Sequence, residues 1–120
     1  MGKAGRARHV FDILSKERLS NPSIGEIRVT MKGIRHSLQE MPRPWKDELM
    51  VTPGRLAAVI SRAKAKEAPV TKPHVAKTWR ISSRVTLRGI RYRFGAVIHK
   101  NLETGASVLY HVSMRRQQKK

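Results

Sequence analysis

Between Glu67 and Glu103 the chain holds no carboxylate, yet the interval carries Lys72, Lys77, Arg80, Arg84, Arg88, Arg91, Arg93 and Lys100. A segment of one sign accumulates repulsion wherever its charges converge, and a bound polyanion relieves it. The order of residues from Ser83 onward supplies such a convergent face. Val85 and Leu87 alternate with Arg84, Thr86 and Arg88, and Ile90, Tyr92 and Phe94 alternate with Arg91 and Arg93. This period of two is that of strands with one apolar and one basic side. Tyr92 and Phe94 therefore fall opposite the arginines and belong to a core. Trp79, between Lys77 and Arg80, is open to core packing or to base stacking.

Further β-rich runs cover residues 96–100 and 107–113, joined by a segment with the length and the glycine of a hairpin loop. Gly89 and Gly95 mark a turn and a bulge or bend. The first half reads as helical. Val10, Phe11 and Leu14 form one stripe of a helix over residues 4–18, ended by Asn21-Pro22. Ser23 and Glu26 have capping-box spacing. Ile24, Ile27, Met31, Ile34, Leu38 and Met41 then recur at steps of three and four. The alternation of Ile27, Val29 and Met31 leaves a short strand as the alternative for residues 24–31.

Residues 42–45 break the pattern. Thr52-Pro53 is a helix start, and Leu56, Val59, Ile60 and Ala63 continue it to about residue 66. Residues 71–79 form either a short helix or a loop. The expected fold is thus α+β: N-terminal helices followed by a C-terminal antiparallel β-hairpin or small sheet, with winged-helix order as an architectural analogy. A single basic domain over residues 1–113 with a basic tail over 114–120 fits the 120-residue length.

The functional expectation follows from charge. Twenty-six Lys and Arg against 8 Asp and Glu give a formal charge of +18. Nucleic acid is favoured over a membrane surface because the apolar runs span only a few residues. The expected partner is nucleic acid, DNA ahead of RNA, bound by a transcription regulator or architectural factor. An RNA-binding structural component, such as a ribosome-associated protein, and a protein that binds an acidic partner are the alternatives. The apolar face over residues 24–41 is a candidate homodimer contact.

The nucleic-acid-binding residues expected are the eight cations of the acid-free interval, with secondary contacts from Arg28, Lys32, Arg35, Arg115 and Arg116. No enzyme activity, cofactor or metal is expected. The acids are scattered, Asp47 and Glu48 being the only adjacent pair, and His9, His36, His74, His99 and His111 show no paired ligand spacing. His99 and His111 can approach across a hairpin, though surface positions on strands are the plainer reading. With no cysteine and no secretory leader pattern, an intracellular site is expected, in the cytoplasm or nucleoid or an organelle matrix.

Overall fold

The computed structural model describes residues 3–39, 54–87 and 89–116. Among the described residues the chain forms α1 (Lys3–Leu14), β1 (Leu19–Asn21), β2 (Gly25–Arg28), α2 (Met31–Gln39), α3 (Arg55–Arg62), β3 (Lys64–Ala68), β4 (Val75–Leu87), β5 (Ile90–Asn101) and β6 (Ser107–Arg116). The strands make one sheet in the order β1-β2-β6-β5-β4-β3, curled into a half-barrel. All neighbours are antiparallel except β2 and β6, which run parallel.

The expected helices followed by a small hairpin, and with them the winged-helix order, are therefore incorrect. Two long-range pairings account for the difference. β2 is short and joins the sheet through β6, about 80 residues further along the chain, and β3 is a short edge strand that joins it only by pairing with β4. Residues 24–31 carry β2 where the spacing favoured a helix. Gly25, at a φ of 93°, turns the chain back from β1, and helical repetition begins only at Met31. The start signal for α2 is Thr30, whose Oγ1 accepts the Gly33 N–H at 3.0 Å, and not Ser23. The helix expected over residues 53–66 stops at Arg62, and residues 64–68 become β3. Thr52 and Pro53 lie outside the described residues, as do the break at 42–45 and the Asp47-Glu48 pair. Residues 75–79, expected as helix or loop, open β4.

The inner face of the sheet holds the core. Ile81, Val85 and Leu87 from β4, Phe94 and Ile98 from β5, and Leu109 and Val112 from β6 are buried against Val10 and Leu14 of α1, Ile34 of α2 and Leu56 and Ile60 of α3. Helices cover this side, and the outer face carries mostly polar and basic residues, with Val97 and Val108 among them. Among the described residues, the continuous apolar face expected over residues 24–41 does not form. Ile27 and Ile34 are buried in the chain's own core from two different elements, and the side chains of Leu38 and Met41 lie outside the described residues. β6 runs through Arg116 with Met114 buried, beyond the expected boundary at 113.

Two buried polar side chains join the layers. Ser37 of α2 donates its hydroxyl to the Gly33 carbonyl at 2.8 Å and accepts the Val112 N–H at 2.9 Å. β2 pairs with β6 only at Ser107 and Val108, and α2 covers the edge of β6 beyond that point. Asn21 donates to the Ile60 and Ala63 carbonyls at 2.9 and 3.0 Å and accepts the Ser23 N–H at 3.0 Å. It thereby satisfies carbonyls at the end of α3 and fixes the β1 turn together. Asn21→Ala removes all three bonds from a buried site, and we expect a loss of about 2–3 kcal/mol in urea denaturation with an unchanged m-value.

Candidate nucleic-acid interface

Residues opposite each other in neighbouring strands share a face, as do alternate residues along one strand. From the register, Lys64 and Lys66 of β3, Arg80 and Arg84 of β4, Arg91 and Arg93 of β5 and Arg115 of β6 all lie on the outer face. All seven are exposed. Lys66 pairs with Arg80, and Arg84, Arg93 and Arg115 form a row across three strands.

Directly opposed like charges destabilise a sheet, because their Cβ atoms stand only about 5 Å apart. The residues between them are small: Ser82, Thr86, Gly95 and Ser113. A phosphate chain can therefore approach the backbone while guanidinium groups reach over it, each able to give two hydrogen bonds to one phosphate. The ion pairs among the described residues are Arg8 with Asp12 at 3.4 Å and Lys77 with Glu67 at 3.6 Å, and neither involves these seven cations.

The expected cations divide among four places. Arg80, Arg84, Arg91, Arg93 and Arg115 converge on the outer face. Lys77 and Lys100 are paired on the opposite side of the sheet, the side of Ile98 and Trp79. There Lys100, Arg28 and Trp79 line a cavity of about 560 Å³, with Glu26 also in its wall. Lys72 and Lys32 line a second cavity, of about 280 Å³, with His74, His99 and Tyr110. Arg35 is exposed on α2. Arg88 and the side chain of Arg116 lie outside the described residues.

Lys64 and Lys66 were not among the expected site residues because the apolar spacing from Leu56 carried the helix through them. Their alternation with Ala63 and Ala65 was the available signal. His36 and Tyr110 left no such signal, since only the packing of α2 on β6 brings them together. Tyr110 stacks on His99 with ring centres 4.3 Å apart, and His36 meets Tyr110 at 5.0 Å and His111 at 4.7 Å. Burial, then the charge of Lys72, then His74, hold the His99 pKa below the usual histidine value. Among the described residues no group of three or more His, Asp or Glu side chains is arranged to hold a metal ion, and no helix is long and apolar enough to cross a membrane.

The fold and this face define a curled mixed sheet with helices on its inner side and a one-signed cationic outer side. The chain matches no protein-family model, and comparison with curated proteins and with solved structures finds no similar one.

Proposed function

We propose that the protein binds nucleic acid without acting on it chemically, gripping phosphates through the outer face of its sheet. The observation that carries this reading is the Arg84, Arg93 and Arg115 row, flanked by Arg80, Arg91, Lys64 and Lys66, with no carboxylate among the described residues paired to it. Three opposed arginines raise the energy of the isolated sheet and lower it once an anion lies across them.

Duplex DNA is the favoured ligand, now for a different reason than helix insertion into a groove. Tyr92 and Phe94 are buried on the inner face, so the arginine-rich part of the outer face offers phosphate contacts in place of stacking platforms. Backbone binding of this kind suits an architectural factor or a regulator acting in a reducing, nucleic-acid-bearing compartment.

The test compares duplex DNA, single strands and structured RNA at equal salt, over a range of salt concentrations. The expected result is tightest binding to duplex DNA, a steep linear fall of log affinity with log salt, and recovery of every oligonucleotide at full length. Tighter binding to structured RNA would move the function to an RNA-binding structural component. Flat salt dependence would overturn the phosphate grip, and shortened oligonucleotides would overturn the non-enzymatic reading.

A further inference from the structure

Two β-bulges occur at the same end of the sheet. One passes over Ala76 between Val75 and Lys77 of β4, and the other passes over Tyr110 between Leu109 and His111 of β6. Bulges re-aim side chains, and here the second turns Tyr110 onto the outer face beside His99. Lys72 comes down from the preceding loop, donates to the Tyr110 hydroxyl at 2.6 Å and lies 4.0 Å from the ring centre.

The cavity of about 280 Å³ opens among these groups, and His74, Lys32 and the first turn of α2 complete its wall. No carboxylate lines it among the described residues. We propose that this pocket binds one phosphate monoester, that of a nucleotide or of a phosphorylated strand end.

The chemistry of the lining supports a compact dianion. A lysine ammonium has three donors, of which Tyr110 takes one. Tyr110 accepts from Lys72, leaving its own proton to be donated. Lys32, His74 and His99 add positive or donor groups, and His36 backs the tyrosine ring from α2. Burial first, and then the charges of Lys72 and His74, oppose protonation of His99, and a dianion bound beside it would offset the charge contribution. A monoester carries close to two charges at neutral pH and three strong acceptor oxygens, whereas a backbone diester carries one charge. The pocket and the arginine face lie on the same side of the sheet. His99 and Arg93 are alternate-position residues of β5 six apart, a separation of roughly 20 Å along the strand. A strand lying on the arginines can end at the pocket. Only this choice of a strand end over a free nucleotide rests on the proposed function.

The test titrates the full chain with inorganic phosphate, a nucleoside 5′-monophosphate and the matching nucleoside, read by calorimetry and by the histidine ring signals in NMR. Phosphate and the nucleotide are expected to move the His99 signals and raise its titration midpoint, while the nucleoside leaves both unchanged. Tyr110→Phe keeps the stacked ring and is expected to weaken nucleotide binding about fivefold, and Lys72→Met about tenfold or more.

A second arm compares duplexes with 5′-phosphate and 5′-hydroxyl ends. A preference of about fivefold or more for the phosphorylated end, lost in Lys72→Met, supports the strand end as ligand. Equal affinity for both ends, with nucleotide binding retained, supports the pocket and assigns it a free nucleotide. If nucleoside and nucleotide act alike, or if both variants bind as the parent does, the pocket proposal is overturned. Duplex binding in that case leaves the proposed function standing, and its loss with nucleotide binding intact overturns the proposed function alone.

Discussion

Replacing Arg80, Arg84, Arg91 and Arg93 together by alanine is expected to lower affinity for duplex DNA by about three orders of magnitude near physiological salt. Each exposed arginine on a phosphate contributes on the order of 1 kcal/mol, and four such contacts amount to about 4 kcal/mol. The slope of log affinity against log salt should fall by about four units, because each lost phosphate contact retains roughly one counterion on the DNA. The same variant should unfold at an equal or higher temperature than the parent. Arg84 faces Arg93, which faces Arg115 in turn, so the substitutions relieve repulsion within the folded sheet. Loss of affinity together with undiminished stability separates a binding face from a structural one. Fluorescence anisotropy and thermal melts on the same preparation measure both, and an unchanged salt slope would contradict the phosphate grip.

Gly33→Ala is expected to destabilise the fold by about 2–4 kcal/mol in urea denaturation. In an exposed helix this substitution normally stabilises, by up to about 1 kcal/mol, since glycine is the poorer helix former. Gly33 sits where α2 crosses β6, and a Cβ there would run into the Leu109 carbonyl, which as backbone of a paired strand has little room to retreat. The nearby Ser37 bond to Val112 would be pulled apart with the helix, leaving a buried N–H without an acceptor. A gain in stability would mean that α2 does not pack against the edge of β6.

The sequence showed the C-terminal half of the fold more clearly than the first. Alternation at residues 84–94 identified the basic and apolar sides of β4 and β5, because a half-buried strand must repeat every two residues. The segment at 101–106 likewise carried the β5–β6 turn in its Asn101 and Gly105, which close it through backbone bonds and the Asn101 side chain. The first half was misread for a specific reason. Ile24, Ile27, Met31 and Ile34 have helical spacing, yet Ile27 faces the core from a strand and Ile34 from a helix, so one periodicity straddles two elements. β3 was hidden in the same way behind the stripe of α3. Its place at the sheet edge comes from pairing with β4, and such tertiary pairing overrides local propensity.

The candidate site was legible where it depended on strand alternation and not where it depended on distant contacts. Arg80, Arg84, Arg91, Arg93 and Arg115 share a face because the strands are regular. Lys77 and Lys100 lie on the opposite side of the sheet, where strict alternation puts them, three residues from Arg80 and seven from Arg93 along regular strands. The His36, His99 and Tyr110 contacts required α2, β5 and β6 to be assembled first.

The most direct measurement is an NMR map of the full chain saturated with a short DNA duplex, following backbone amides and arginine Nε–H signals together. Perturbations confined to Lys64, Lys66, Arg80, Arg84, Arg91, Arg93, Arg115 and their outer-face neighbours are expected. Perturbations centred instead on Arg28, Trp79 and Lys100 around the opposite cavity, with the outer arginines unmoved, would show that the cationic sheet face is not where nucleic acid binds.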